Sequence, residues 1–346
     1  MKSLLHISLI ITCIICFPSL SFAQHIKVTP VKKQQQILVT INNKPFTSFN
    51  YPDSLAKPFL YPIYAPDGEI ITRGFPLVSR ANEPIDHPHH VGLWLNYENV
   101  NGLDFWNNSY AIPADKKSHY GSINNTEVVS MKSGNEGILT YTANWQDINK
   151  NTLLKESTTF VFSTAGNIYI IDRITILTAA TDVTMPDIKD GFLGLRVAHE
   201  LEIPSEEDKE FTDANGIITI VKATDDKLPS GNYITSEGKE GDAAWGTRAN
   251  WCMLYGKKGN DSISIGIIDH PKNIGYPTYW HARGYGLFAV NPLGQKIFSN
   301  GKEILNFSLK KDESVRFRFR IVINAAKERL TSDDIDKLAK AFAGLY

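Results

Sequence analysis

The chain has 346 residues, with 36 basic and 37 acidic side chains and a formal net charge of −1 at pH 7. This near-neutral balance gives no reason to expect nucleic acid or an anionic membrane surface as a partner. The length is sufficient for a large hydrophobic core that needs no disulfide bonds.

The N-terminus has the pattern of a secretory signal peptide. Lys2 is followed by the apolar run "LLHISLIITCIICF" and then by "PSLSFAQ", whose small residues suit cleavage after Ala23. The apolar run is shorter than the roughly 20 residues that a membrane span needs, although an uncleaved anchor is the alternative. We therefore expect residues 1–23 to be removed. Residues 24–346 are then predicted to form a single periplasmic or secreted domain with no membrane span.

Cleavage would leave one cysteine in the mature chain. Cys13 and Cys16 lie in the predicted signal peptide, so their C-x-x-C spacing is not a redox motif. Cys252 lies in the apolar stretch "ANWCMLYG", which favours a buried, unreactive thiol.

Most of the remaining sequence has the pattern of β-strands. Short runs rich in Val, Ile, Tyr, Phe and Thr are bounded by Gly, Asn, Asp and Pro. In "VRFRFRIVI", the alternation of Arg316, Arg318 and Arg320 with apolar residues is typical of a half-exposed antiparallel strand. A short C-terminal helix is predicted, capped by Thr331 or Ser332. The predicted fold is an all-β protein, a large antiparallel β-sandwich with that helix.

The stretch "IDHPHHVGLWLNY" places three histidines directly before an apolar run. Histidine is both an acid–base group and a common metal ligand. Pro88 predicts an extended backbone at His87, in a loop that leads into a strand beginning near His89. On such a strand His90 and Trp94 share a face, and we expect this pair to contact a ligand. His89 is predicted to be structural.

Two later stretches also combine polar and apolar residues. In "GLRVAHELEI", alternation places Arg196 on one face and His199 on the opposite, apolar face, unless a bulge intervenes. The stretch "YWHARGYGLFAVN" is predicted to be one strand. Alternate residues of that strand would share one face: Tyr279, His281, Arg283, Tyr285, Leu287 and Asn291. Convergent polar groups on an otherwise apolar surface are typical of binding sites.

Three stretches resemble a bacterial family labelled PmoA-like, or methane oxygenase. They are "RGFPLVSRANEPIDHPHHVGLWLNYENVNGLDFW", "GFLGLRVAHELEIP" and "YPTYWHARGYGLFAVNPLGQKIFSNGKE". A membrane methane monooxygenase has several spanning helices, for which this sequence has no suitable segments. The resemblance instead implies a more distant similarity to the galactose-mutarotase-like supersandwich. Its members bind and process sugars on a concave sheet face, commonly in bacterial polysaccharide use.

Other catalytic patterns are missing from the sequence. It has no G-x-S-x-G elbow, no phosphate-binding glycine loop between a strand and a helix, and no H-E-x-x-H. Neighbouring residues of an extended strand point to opposite faces, so His87, His89 and His90 could not all converge on one metal ion. We therefore predict no metal and no other cofactor.

The residue types near these motifs favour proton abstraction next to a carboxylate. We expect a carbohydrate-processing lyase that eliminates water or a glycosyl group from an acidic sugar, a uronate at the end of an oligosaccharide. The arginines predicted to bind the carboxylate are Arg283, Arg196 and Arg73. The acid–base candidates are His281, His90, Tyr285, His87 and His199. Further predicted substrate contacts are Trp94, Tyr279 and Asn291.

Two alternatives stay open. A sugar epimerase or mutarotase, or a hydrolase of a keto-glycoside, would use the same histidines without elimination. A non-catalytic sugar-binding module would use Trp94, Trp280 and Tyr279 only as a platform. Elimination from a uronate creates a conjugated double bond that absorbs in the near ultraviolet. Neither alternative function creates such a bond.

Overall fold

A computed structural model of the protein describes residues 25–213, 215–223 and 228–346. The predicted signal peptide and its cleavage point lie outside these residues. The helices and strands of the described residues are, in chain order, β1 (Ile26–Pro30), β2 (Gln36–Ile41), β3 (Lys44–Asn50), β4 (Phe59–Ile63), β5 (Leu93–Tyr97), β6 (Ser122–Lys132), β7 (Gly137–Gln146), β8 (Thr152–Ala165), β9 (Ile168–Ala179), β10 (Val183–Met185), β11 (Gly191–Arg196), β12 (Lys209–Thr212), β13 (Ile218–Val221), β14 (Asn232–Thr235), β15 (Trp251–Lys258), β16 (Asp261–Asp269), β17 (Tyr279–Arg283), β18 (Leu287–Asn291), α1 (Gln295–Phe298), β19 (Phe307–Leu309), β20 (Ser314–Ala326) and α2 (Ser332–Ala343).

Two eight-stranded antiparallel sheets pack against each other. The front sheet has the strand order β1-β2-β3-β4-β5-β11-β18-β17, and the back sheet has the order β14-β15-β16-β20-β9-β8-β7-β6. Two short two-stranded sheets, β10-β19 and β12-β13, lie outside them in the described part of the chain. The predicted all-β antiparallel sandwich is confirmed. No helix within the described residues is long and apolar enough to cross a membrane.

Alternate side chains of the two sheets form the core between them. Leu93 and Leu95 of β5 enter this core from the front sheet. Phe192 of β11 meets Phe317 of β20 across it, with ring centroids 4.3 Å apart. Trp94, between the two leucines on β5, belongs to a separate apolar cluster on the other face of the front sheet. That other face carries the candidate site.

The outer face of β20 is covered rather than half-exposed. The prediction holds for Arg316, which is exposed, but it is wrong for Arg318 and Arg320, which are buried. Arg320 donates two hydrogen bonds to Asp172, at 2.7 and 2.8 Å, and its guanidinium lies 4.8 Å from the ring centroid of Phe342 on α2. The C-terminal helix therefore covers a face that alternation alone assigns to solvent.

The predicted helix itself is confirmed. The hydroxyl of Thr331 accepts a hydrogen bond from the backbone N–H of Asp334, and the Asp334 carboxylate accepts one from the backbone N–H of Thr331. This reciprocal pair satisfies two donors that a helix start otherwise leaves unpaired. Cys252 is buried as predicted, and burial raises the pKa of its thiol.

Candidate functional site

The stretch predicted as one long strand folds as a hairpin. β17 ends at Arg283, β18 begins at Leu287, and Gly286 in the turn has a φ of +85°, a left-handed conformation that glycine adopts without strain. Directly paired residues of antiparallel strands lie on the same face of a sheet. Arg283 pairs with Leu287, so these two residues share a face, as the prediction for a single strand also had it. The continuous strand was wrong, and Tyr285 lies in the turn rather than in a row with His281.

The three clustered histidines lie in a turn before β5. The backbone N–H of His90 donates to the carbonyl of His87 at 3.0 Å, and β5 begins only at Leu93. His87 has a φ of +43°, so the predicted extended backbone is wrong. Arg73 holds this turn by donating to the His87 carbonyl at 3.0 Å. The turn brings His87 and His90 into nearly parallel stacking, with ring centroids 4.7 Å apart.

A buried carboxylate, Asp86, organises the charges beneath this turn. It accepts hydrogen bonds from Arg196 at 2.9 and 3.1 Å, lies 3.3 Å from Arg73 and is bonded to His87 Nδ1 at 2.5 Å. Burial alone would raise the pKa of Asp86. Arg196, the bond to His87 and Arg73 outweigh burial and hold that pKa well below its usual range.

Both arginines of this network are engaged by protein carboxylates. Arg73 and Arg196 are almost fully buried, and Arg196 also lies 3.4 Å from Glu202. Their predicted role in binding a substrate carboxylate is therefore wrong, because Asp86 already occupies that position. Glu202 in turn is bonded to His199 Nδ1 at 2.9 Å.

His199 does not lie in the apolar layer that alternation predicts. β11 ends at Arg196, and His199 begins a 3-10 turn in which it pairs with Glu202. It does not line the cavity described next. We assign it to the buried charge network rather than to direct substrate contact.

A cavity of ≈ 520 Å³, the main cavity, lies over the histidine turn. This volume is in the usual range for small-ligand sites. The predicted site residues that line it are His87, His90, His281, Arg283 and Tyr285. Its aromatic walls come from Phe75, Trp106, Tyr110 and Phe211. The β12-β13 hairpin also contributes lining residues, among them Phe211 and Ile218.

His87 is held as an acid–base group at the wall of the main cavity. Its Nδ1 is bonded to Asp86, which leaves Nε2 to exchange a proton with a ligand. Burial lowers the pKa of His87 despite the neighbouring carboxylate, so the ring is neutral at neutral pH. The ring of Tyr285 stacks on it at 4.9 Å, and burial raises the pKa of that phenol to about 12. A proton acceptor and a proton donor therefore lie side by side.

Another part of the cavity wall combines a histidine and a carboxyl group. Nδ1 of His281 is buried, has no hydrogen-bond partner among the described residues, and lies 3.7 Å from Oδ1 of Asp190. Burial lowers the pKa of His281 and raises that of Asp190, so burial favours the neutral forms of both. Lys189 lies 3.5 Å from the other oxygen of Asp190.

Arg283 supplies a cation that forms no salt bridge with the described residues. Its guanidinium lies between two aromatic rings, 5.1 Å from the centroid of Phe211 and 5.4 Å from that of Trp245. None of the salt bridges within residues 25–213, 215–223 and 228–346 involves it. The side chain is thus available to an anionic ligand, and its role in binding a carboxylate stays a prediction.

Trp94 does not stack on a ligand. Alternation places it correctly on the site face, but it is fully buried beneath His90 and Trp106, with ring centroids 5.2 and 5.0 Å away. The prediction that it contacts a sugar is wrong. Trp106, which the sequence analysis did not single out, is the tryptophan that lines the main cavity.

Two further predicted contacts have structural roles instead. Tyr279 packs against Phe298 at 5.5 Å and under the guanidinium of Arg248. The Asn291 amide donates to the carbonyls of Ile188 and Lys189, at 3.0 Å each. Neither side chain lines the main cavity. Asn291 instead positions the loop that carries Asp190.

Sequence reasoning missed Lys189 and Asp190 as site residues. They are the two residues directly before β11 and before the motif "GFLGLRVAHELEIP", which both begin at Gly191. Loops that lead into buried strands are common positions for functional groups, which is the signal that could have found them. Over the residues that the structure describes, no group of three or more His, Cys, Asp or Glu side chains is arranged to hold a metal ion.

Comparisons with known proteins give a family and a distant structural likeness. A family model described as "Family of unknown function (DUF6807)" matches residues 36–340. A search of curated proteins gave no match. Solved structures with similarity include an α-galactosidase from Lactobacillus brevis, at 9% identity and a TM-score of 0.36, covering 81% of this chain and 38% of that one. Another is the GH36 α-galactosidase AgaA from Geobacillus stearothermophilus, at 12% identity and a TM-score of 0.38, covering 87% and 41%.

The chain spans about two-fifths of the length of those galactosidase chains. The resemblance to the PmoA-like family stays a prediction. The family match extends from β2 into α2 and includes the histidine turn, Asp190 and Arg283. The chain therefore belongs to the family of unknown function DUF6807.

Proposed function

We propose that the protein is a lyase that acts on an acidic sugar, a uronate at the end of an oligosaccharide, by β-elimination. The observation that carries the proposal is the pairing, in one cavity, of a neutral histidine held by a buried carboxylate with an arginine that has no described counter-ion. A neutral histidine accepts a proton, and a free arginine binds a carboxylate.

Each step uses one group of the main cavity. Arg283 binds the sugar carboxylate and neutralises it, which acidifies the C–H at C5. Nε2 of His87 takes that proton, and the electron pair forms the C4–C5 double bond. The bond from C4 to its oxygen breaks, and the Tyr285 hydroxyl donates a proton to that oxygen, so that water or an alcohol leaves. Tyr285 suits this step because its raised pKa keeps it protonated.

A second candidate is hydrolysis, which one observation favours. Asp190 lines the main cavity and has a raised pKa, which is the property of the general acid in a glycosidase. In that case Asp190 protonates the glycosidic oxygen and no double bond forms. Hydrolysis yields new reducing ends without near-ultraviolet absorbance, whereas elimination yields that absorbance.

The same proposal includes export from the cytoplasm. The N-terminal pattern of Lys2, an apolar run and a small-residue end supports a periplasmic or secreted location. N-terminal sequencing of protein recovered from the producing cells should begin at Gln24. A mature protein that retains Met1 would contradict export by this route.

The activity test is a screen of acidic oligosaccharides with the purified protein. Products are followed by near-ultraviolet absorbance and by mass spectrometry, which detects the loss of one water or a split into two fragments. The variant His87→Ala should lower kcat by about 10²-fold or more, because the proton acceptor is lost. The control variant is His119→Ala, which removes an exposed histidine outside the cavity. Equal rates for wild type and His87→Ala would contradict the assigned role of His87.

The carboxylate role of Arg283 has its own test. Arg283→Lys keeps the charge but loses the planar, two-pronged contact. We expect a large drop in kcat/KM on a uronate substrate, and little change on the same substrate with its carboxyl group reduced to an alcohol. Equal losses on both substrates would mean that Arg283 does not bind a carboxylate.

A further inference from the structure

A second cavity of ≈ 450 Å³ adjoins the main one. It is lined by Lys209, Glu210, Phe211, Asp242, Trp245, Ala282, Arg283, Gly284 and Tyr285. Phe211, Arg283 and Tyr285 line both cavities, so the two share a wall. The mechanism above gives this second space no role.

Trp245 gives the second cavity an aromatic surface. Its Nε1 is buried and has no hydrogen-bond partner among the described residues. Its ring packs edge-on against Phe298 at 5.6 Å and lies beside Arg283. The buried Nε1 has no surface open to the cavity, so the face of the ring is the part of Trp245 that a ligand would meet. An indole face suits a sugar ring, which offers apolar C–H groups.

The charges at the second cavity disfavour a second carboxylate. Lys209 and Asp242 lie 3.8 Å apart, and Glu210 adds another negative charge. Apart from the shared Arg283, the lining therefore has one cation against two acids. A ligand with an acidic group in the main cavity and a neutral group in the second matches this distribution.

Gly284 keeps the space between these groups open. A Cβ at this position would lie 3.2 Å from Oδ1 of Asp242 and 3.4 Å from Cβ of Ile203. The position thus tolerates little added volume without displacing the cavity wall.

We propose that the second cavity is a subsite for a neutral sugar joined to the acidic sugar in the main cavity. This inference rests on the proposed function for the identity of the acidic sugar, but binding can be measured without any reaction. The preferred substrate is then a mixed glycan, in which an acidic residue is followed by a neutral one, and Arg283 lies between the two subsites.

The test measures binding to immobilised glucuronate and galacturonate glycans of three kinds. These are the single uronate, the uronate followed by a neutral sugar, and the uronate followed by a second uronate. Wild type should bind the acidic–neutral pair most tightly. Trp245→Ala should weaken binding of that pair by about tenfold, which corresponds to about 1.4 kcal/mol, and should weaken binding of the single uronate much less. Trp245→Phe keeps a ring without the N–H and should give a smaller loss.

Two further variants keep the result interpretable. Gly284→Ala narrows the second cavity without removing Trp245, and should also weaken the acidic–neutral pair selectively. Val129→Ala, at an exposed apolar position of β6, is the matched control and should bind like wild type. Thermal unfolding is measured for every variant to show whether it folds. If Trp245→Ala does not fold, the test is made with Gly284→Ala.

The outcomes separate the subsite from the proposed reaction. Equal weakening of the single uronate and the pair, or no wild-type preference for the pair, overturns the subsite. Binding of none of the three glycan kinds by wild type also overturns it. Selective binding without any near-ultraviolet product supports the subsite and overturns only the elimination.

Discussion

Two buried arginine–carboxylate networks lie in the two sheets, and they differ in what they face. In the back sheet, Glu156 accepts hydrogen bonds from Arg173, Tyr141, Trp145 and Thr158, at 2.7 to 2.9 Å. Beside the front sheet, in the loop before β5, Asp86 is bonded to Arg196 and to a histidine. Both carboxylates are almost fully buried.

The difference shows why a buried ion pair alone does not identify a functional site. The partners of Glu156 on β7, β8 and β9 all belong to one sheet, and none of them lines the main cavity. One partner of Asp86, by contrast, is His87, which lines the cavity and can exchange a proton with its contents. The first network fixes the register of strands, and the second positions an acid–base group.

The largest expected effect is on stability, to which both networks contribute. Glu156→Gln and Asp86→Asn should each lower the free energy of unfolding by about 3–5 kcal/mol, because each leaves a buried arginine without its counter-charge. Urea unfolding measures both. Only Asp86→Asn should also lower kcat under conditions where the variant is folded. A comparable fall in kcat for Glu156→Gln would contradict the claim that only the Asp86 network positions an acid–base group.

A smaller effect is expected from one tyrosine in each region. Tyr141→Phe removes hydrogen bonds to Glu156 and Arg173 and should cost about 1.5–3 kcal/mol of stability without changing kcat. Tyr285→Phe removes a hydroxyl that makes no hydrogen bond to the described residues, and should cost less than about 1 kcal/mol while lowering kcat. Unfolding and activity measured on the same preparations check both. The reverse pattern would contradict the assignment of Tyr285 to the site.

A third effect is a dependence of stability on pH at the site. Burial holds the pKa of His90 well below 6.5, so the unfolded chain binds a proton near pH 6 that the folded chain does not. This contribution therefore destabilises the fold as the pH falls below 6.5. His90→Phe keeps a stacked ring that cannot protonate. Its stability relative to wild type should rise by up to about 2 kcal/mol between pH 7 and pH 5. If the difference in stability between the variant and wild type were the same at pH 7 and pH 5, this would contradict the buried, neutral state of His90.

The fold was largely predictable because period-2 alternation is a local property. Leu93 and Leu95 on β5, and Trp280 and Ala282 on β17, lie in the core as alternation predicts. The burial of Arg318 and Arg320 was not predictable in the same way. It depends on where α2 lies, and alternation within β20 contains no information about a helix that follows it in the chain.

The site was predictable in residue type but not in geometry. His281, Arg283 and Tyr285 do line the main cavity, although Tyr285 reaches it from a turn. Arg196 and Trp94 were misassigned for one reason. Alternation gives the face of a strand, but it does not reveal that Asp86 and Trp106, from other segments, cover that face.

The separation of the site residues along the chain has a consequence for folding. Asp86 and Arg196 are 110 positions apart, and His281 follows much later on β17, an edge strand of the front sheet. Contacts between residues so far apart in the sequence form slowly. The chain loses the entropy of a long loop before it gains the energy of these contacts. The cavity is therefore complete only once β17 and β18 have joined the front sheet. A bound ligand would stabilise this final arrangement by mass action and slow its loss, so protection by ligand against urea reports completed folding as well as binding.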